Sequence, residues 1–221
     1  MRSVALIGPD GAGKSSIARE VARRLGSPAR YLYMGVNLEQ SNLTLPTTRL
    51  ALAFKRARGR GPRMTADWSG DHARSNGRPR IVREAYAGVR LVGWLGEEWF
   101  RALIARFYNL RGYVVVFDRH FLFDYYAGHV QRRPGQLLAT RLHGTLLRRF
   151  YPRPDMVICL DAPAEVLHAR KLEQSVESLD RRRREYLALS TVVRDFNVVD
   201  ATRPLPVVIE EITGMIQARL A

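Results

Sequence analysis

The sequence predicts an α/β fold built on a parallel sheet, and three observations carry that prediction. Five short runs, SVALI, YLYM, YVVVF, MVICL and FNVV, are nearly continuous in apolar residues instead of alternating. Segments with apolar residues at helical spacing separate them. The first run passes through a glycine-rich stretch directly into such a segment. Strands buried on both faces and joined through helices are what a parallel sheet covered on both sides requires.

In chain order, the first strand spans about Ser3 to Ile7 and delivers GPDGAGKSS, which satisfies G-x-x-x-x-G-K-[ST] from Gly8 to Ser15. A helix over Ser15–Leu25 follows and stops at Gly26. Strand, loop, lysine, hydroxyl and helix in this order make a phosphate cradle. Backbone N–H groups close on a nucleoside triphosphate, the helix adds its positive end, Lys14 reaches the β- and γ-phosphates from a solvent-facing loop, and Ser15 binds Mg²⁺. The second strand is Tyr31–Met34. Arg56–Arg80 is rich in Gly, Pro and Arg without a sustained period and reads as a long mobile loop. A long helix over Arg83–Leu110 places Trp94, Trp99, Phe100 and Phe107 in the core. After Gly112 comes the third strand, Tyr113–Phe117, then a helix over Gln136–Phe150 and the fourth strand, Met156–Leu160. Pro163 opens a turn into a helix over Ala164–Lys171, and a further helix covers Leu179–Val193. The fifth strand is Phe196–Val199, and a helix over Pro206–Leu220 closes the chain. His129, His143 and His168 show no metal-ligand spacing.

With 221 residues, 46% hydrophobic and 26% charged, the chain suits one domain over residues 1–221, carrying a basic mobile insertion at about 55–80 and a lid at about 170–185. No apolar run approaches the roughly twenty residues of a membrane span, and MRSVALIGPDG enters a working motif too early for a signal peptide, so a cytoplasmic location is expected. The lone cysteine, Cys159, lies within MVICL and reads as a buried side chain. The net charge of +15 fits nucleic acid, an anionic surface or a polyanionic small substrate. Much of it is local, since Lys55–Arg80 holds eight Lys/Arg against Asp67 and Asp71.

The third strand runs into FDRH. Ligands of open α/β sheets sit at the carboxyl ends of the strands, so Asp118 and Arg119 should face the crevice that holds the phosphate loop. There an acid can hold Mg²⁺ and an arginine can bridge phosphates, which is most of what in-line phosphoryl transfer asks of a protein. His120 extends this element and shapes the pocket. Past the fourth strand, Arg170 and then DRRRREY supply cations. At helical spacing Arg181 and Arg184 share a face, and with Arg170 they form the arginine set of a lid that excludes water from the transfer. The catalytic set read here is therefore Lys14, Asp118, Arg119, Arg170, Arg181 and Arg184, with Ser15 and Asp118 for the metal.

GPDGAGKSS, FDRH, the arginine-rich run and VVDATRPLPVVIEEI together resemble the thymidylate kinase family. The resemblance implies a three-layer P-loop nucleoside monophosphate kinase-like fold, with a five-stranded parallel sheet, helices on both faces and a helical lid. It also implies transfer of the ATP γ-phosphate to dTMP with Mg²⁺. ATP would be held by Gly8, Asp10, Gly11, Ala12, Gly13, Lys14, Ser15 and Ser16, with Asp200, Ala201 and Thr202 near the donor base. Asp10 would contact the acceptor's sugar, and Arg119 would hold its phosphate or bridge donor and acceptor. No arginine lies between Gly8 and Lys14, so the transition-state arginine would come from the lid.

Three departures bear on the acceptor. YMGVNLEQSN stands where the family carries an Arg-Glu-Pro or related element. Glu97 falls where a base-reading arginine is expected, with Arg101 one turn later. The basic 55–80 segment is absent from compact members. A P-loop kinase acting on a nucleoside, a sugar phosphate or another small phosphorylated metabolite is thus the alternative to a dTMP kinase. An ATP-regulated module binding nucleic acid or an anionic surface ranks lower, because Trp68 is the lone aromatic between Lys55 and Arg80 and offers a poor stacking platform. The expected partner is a small-molecule phosphate acceptor, with no membrane span and with a homodimer compatible.

Overall fold

Five parallel strands in the order β2-β3-β1-β4-β5 form the sheet: β1 (Ser3–Ile7), β2 (Ala29–Tyr33), β3 (Val114–Asp118), β4 (Met156–Asp161) and β5 (Phe196–Asp200). This computed structural model describes residues 1–37, 41, 43–57, 79–131 and 136–220. Alternate side chains of each central strand enter different cores. Val4, Leu6, Val116, Ile158 and Leu160 pack with α1 (Lys14–Leu25) and α8 (Leu205–Leu220) on one face. Ala5, Ile7, Val115, Phe117, Val157 and Cys159 pack on the other, against Ala102 and Ala105 of α3 (Arg80–Leu110) and Leu147 of α5 (Leu138–Phe150). Both faces being covered explains why β1 and β3 read as unbroken apolar runs.

The element bounds differ from the sequence reading where polar or proline-led residues join an element. Ala29 and Arg30 pair with Val114 and Val115 and so begin β2, while Met34 leaves the strand but still donates to the Asp118 carbonyl at 3.0 Å. A helix that periodicity did not reveal, α2, spans Pro46–Ala57, with proline in its first turn, where its missing N–H costs nothing. It takes Arg56 and Ala57 out of the expected loop; residues 58–78 of the basic insertion lie outside the described residues. After β3 come α4 (Phe121–Asp124) and a π-helical turn, Tyr126–Val130. After β4 come α6 (Ala164–Arg170) and α7 (Val176–Leu187), the latter capped by Ser175 and continued as a 3₁₀ turn, Ala188–Thr191. No described helix is long and apolar enough to cross a membrane.

Candidate active site

The carboxyl ends of the parallel strands lie at one edge, where they bring the phosphate loop, Asp118–Arg119, Asp161 and Asp200 together. Gly8 and Gly11 hold the phosphate loop tight against its neighbours. Both have positive φ, and a Cβ would lie 2.4 Å from the Leu160 carbonyl oxygen at Gly8 and 2.6 Å from that of Leu167 at Gly11. Any side chain there would lift the loop off β4 and α6. Gly13, also left-handed, caps α1, whose first turn carries Lys14, Ser15 and the exposed Ser16, while Ala12 is buried in the core. The helix N-terminus thus points its dipole and free N–H groups at the crevice.

Lys14 is not solvent-facing. Its side chain is 4% exposed and its amine turns back to the Pro9 carbonyl, 3.9 Å from Asp10 Oδ1. Burial first, and the Arg119 cation second, push its pKa down to about 7 against the pull of Asp10, Asp124 and Asp118. Burial acts on Asp10 in the opposite sense, but the Arg119 and Lys14 cations prevail and hold its carboxyl at about 2.

Arg119 links β3 to the phosphate loop. Its backbone N–H donates to the Leu6 carbonyl at 3.0 Å, its φ of 65° is left-handed for a side-chain-bearing residue, and its guanidinium pairs with Asp10. That conformation costs on the order of 1–2 kcal/mol, and such strain gathers where geometry serves function. Asp10 Oδ2 also accepts from Gln174 Nε2 at 2.9 Å, so the α6–α7 connection reaches the phosphate loop. Asp118 is fully buried at the end of β3. Its Oδ2 accepts from the Tyr31 hydroxyl at 2.8 Å, and its Oδ1 has no partner among the described residues. A buried, unpartnered carboxylate oxygen together with the Ser15 hydroxyl is a hard-oxygen donor set that fits Mg²⁺.

The arginines of the expected lid sort differently from the reading by spacing. Leu179 and Tyr186, seven residues apart and buried, fix the inward face of α7, so Arg182 and Arg183 lie between them. Arg183 grips Asp161 at the end of β4 with two bonds of 2.6 and 2.8 Å. Arg182 donates to the Asp124 carbonyl at 3.1 Å and lies over the Tyr186 ring. Arg181 and Arg184 are exposed, the latter pairing with Asp180 one turn back at 2.9 Å. Arg170 donates to the Ala201 carbonyl at 2.9 Å and so joins the Asp200-Ala201-Thr202 turn, away from Arg119's partners. In that turn the Thr202 N–H and hydroxyl both donate to Asp200 Oδ1, and the Ala201 N–H donates to the Asp161 carbonyl.

Sequence reasoning also passed over Asp124. Its carboxylate accepts from the Tyr186 hydroxyl at 2.7 Å and is the strongest of the acids holding Arg119 protonated. The available signal was an acid inside the apolar run FLFDYY. His120 is buried among aromatic rings, caps α4 through Nδ1 at 3.3 Å from the Leu122 N–H, and is pushed by burial to about 3, hence neutral. On α3, Glu97 accepts from the Leu45 N–H at 3.1 Å, at the start of α2, and Arg101 is buried with its guanidinium donating to the Gly35 carbonyl at 2.7 Å. Glu98 accepts from His143 Nε2 at 3.0 Å and the Tyr151 hydroxyl at 2.8 Å, while His143 Nδ1 lies 2.7 Å from His129 Nδ1. The two histidines brace α3, α5 and the π-helical turn. Cys159 is buried, its thiol pushed up to about 12.

No family model matches the chain. Over 81 residues it is 36% identical to a probable thymidylate kinase of Saccharolobus solfataricus, a match covering 34% of this chain and 42% of that protein. A deoxyadenosine kinase from M. mycoides, solved with dCMP and a flexible dCDP, shares the fold with a TM-score of 0.52 and 17% identity over 98% of this chain and 99% of that one. The five-stranded parallel sheet with its helices is therefore the fold seen in that kinase, and the local identity to a probable thymidylate kinase agrees with the resemblance to a divergent thymidylate kinase-like protein.

Proposed function

We propose that the protein is a Mg-ATP-dependent phosphotransferase of the thymidylate kinase-like type, passing the ATP γ-phosphate to a nucleoside monophosphate, with dTMP the first candidate. The observation that carries this reading is the Asp10–Arg119 pair beside Lys14, a convergence of two cations and one carboxylate over a helix N-terminus. Loop N–H groups and Lys14 would receive the triphosphate, whose charge returns the lysine to its ammonium form. Arg119 would exchange its carboxylate partner for the transferring phosphoryl group, stabilising charge that spreads in the transition state. Ser15 and Asp118 would hold Mg²⁺, which when bound neutralises β- and γ-phosphate oxygens. Arg182 is the α7 arginine proposed to join Arg119, because it bonds to Asp124, whose charge also acts on Arg119. Arg170 and the Asp200-Ala201-Thr202 turn would border the donor base. The relatives' printed activities, on thymidylate and deoxyadenosine, support a nucleoside or nucleotide acceptor.

A second reading, an acceptor other than dTMP, is favoured by Glu97 and Arg101. Glu97 is committed to the Leu45 N–H, and the Arg101 guanidinium to backbone carbonyls of Gly35 and Glu97. Neither is arranged as an exposed pair of donors for a base edge. Incubating nucleoside monophosphates, nucleosides and sugar phosphates with Mg-ATP, and scoring ADP together with the phosphorylated product, tests both readings. Product with dTMP alone upholds the first, product with another acceptor the second, and ADP release with no acceptor product would sink both.

A further inference from the structure

We infer that the outward face of α5 is a docking surface for an anionic lipid bilayer. Thr140, His143, Gly144 and Leu147 are buried and fix the inward side of this helix. On the opposite side Leu138, Arg141, Leu142, Arg148 and Arg149 are all exposed, the two leucines at 68% and 51%. These residues fall into two bands. Leu138, Leu142, half-buried Leu146 and Phe150, 60% exposed at the helix end, recur every four residues on one flank, while Arg141 and Arg148 run along the other. Arg149 lies between the bands.

The charge on this face is not balanced within the protein. Between Asp124 and Asp155 the chain carries six arginines and no acid. On other surfaces arginines meet carboxylates: Arg23 and Arg24 pair with Glu20, Arg184 with Asp180, Arg203 with Glu211 and Arg219 with Asp195. Arg141, Arg148, Arg149 and Arg153 form no ion pair among the described residues. The acids at the two ends of the helix are engaged by backbone. Glu84 accepts from the Leu138 N–H at 3.1 Å, and Asp155 accepts from the N–H groups of Arg2 and Ser3. This positive surface is separate from the basic insertion.

A bilayer with acidic headgroups answers both bands at once. Its phosphates meet the guanidinium groups, while the leucines and Phe150 enter the boundary between headgroups and acyl chains, about 5–10 Å deep. A nucleic acid answers the cations alone, since it offers nothing to Leu138 and Leu142 and finds no aromatic platform beyond Phe150 at the helix end. A second copy of the face would set arginine against arginine. Docking here also leaves the candidate site open. Because α5 covers the sheet face opposite α1 and α8, that face would lie along the bilayer, and the carboxyl edge with the phosphate loop would open sideways to solvent.

The docking needs no nucleotide, so its test is separate from that of the kinase reading. In cosedimentation at about 0.1 M salt, the full chain should bind vesicles of about 30% phosphatidylglycerol in phosphatidylcholine at least about tenfold more tightly than vesicles of phosphatidylcholine alone. The chain with Arg141→Gln, Arg148→Gln and Arg149→Gln should lose about a hundredfold, at roughly fivefold per arginine near a charged surface. The same loss of charge on α1 and α8, through Arg23→Gln, Arg24→Gln and Arg219→Gln, should cost less than about threefold. Leu138→Ser with Leu142→Ser should lose at least about tenfold at an unchanged circular dichroism spectrum. Where a variant fails to fold, a polarity-sensitive dye on Leu142→Cys, with the arginines intact and Cys159 buried, should shift to the blue on the anionic vesicles, and the same dye on Arg24→Cys should not. Equal losses in the two arginine variants, a leucine variant that binds undiminished, or a Leu142→Cys dye that stays in water would each overturn the inference. So would a duplex oligonucleotide that binds in place of the vesicles and is lost with the α5 arginines but kept by the leucine variant.

Discussion

Binding of ATP should draw protons onto Lys14. With the amine at about 7 in the free protein, about one Lys14 in ten is protonated at about pH 8. A triphosphate beside it restores the ordinary lysine range, so binding takes up about 0.9 proton per ATP at that pH and nearly none at about pH 6. Asp10, held at about 2, stays ionised throughout and adds nothing. Titration calorimetry in two buffers of different ionisation enthalpy reads the uptake directly, and at pH 8 the free nucleotide contributes little titration of its own. The same shift fixes a stability effect and its sign. The folded pKa of Lys14 lies below its unfolded value of 10.5, so the unfolded chain binds more protons between about 7 and 10.5, and stability rises with pH across that window. Lys14→Met therefore stabilises the free protein by up to about 4 kcal/mol at neutral pH, while abolishing both phosphoryl transfer and proton uptake. Uptake below about 0.3 proton at pH 8, or equal uptake by Lys14→Met, would refute the reasoning.

Arg119→Ala should lower kcat about 10²- to 10³-fold while weakening ATP binding less than tenfold, since its charge matters most as the phosphoryl group moves; steady-state kinetics beside equilibrium ATP titration separate the two, and equal losses would place Arg119 in simple donor binding. Arg182→Ala should cost at least tenfold in kcat, whereas Arg181→Ala and Arg184→Ala stay within about twofold because surface pairs contribute little; the reverse order would restore the exposed face of α7 to the site. Glu98→Ala leaves the His143 and Tyr151 donors buried without their acceptor and should cost about 2–5 kcal/mol in urea unfolding. A loss below 1 kcal/mol would mean that the network does not brace α3 against α5.

The strands, the phosphate loop and the FDRH element were legible because each is a local rule: continuous hydrophobicity, glycines at fixed offsets, a charged pair after a buried strand. The long helix α3 was legible as a helix but not in its orientation. Trp99 and Phe107 read as core by residue type, yet they are 41% and 51% exposed, because the inward face of α3 is polar where Glu97, Glu98 and Arg101 enter the interior. Arg181 and Arg184 were selected by mutual spacing, whereas the phase of α7 is set by Leu179 and Tyr186. Position 124 could be ranked only after α7 was seen to dock on it through Tyr186. The π-helical turn and the His129–His143 contact depend on pairing between segments distant in sequence, which no local pattern encodes.

Transfer of the ATP γ-phosphate to an acceptor is the step that defines such a kinase. ATP labelled in its γ-phosphate, incubated with Mg²⁺, the protein and a pool of nucleoside monophosphates, should place the label in a nucleoside diphosphate, at a rate that Lys14→Met abolishes. Label recovered only as inorganic phosphate, or transfer undiminished in Lys14→Met, would contradict it.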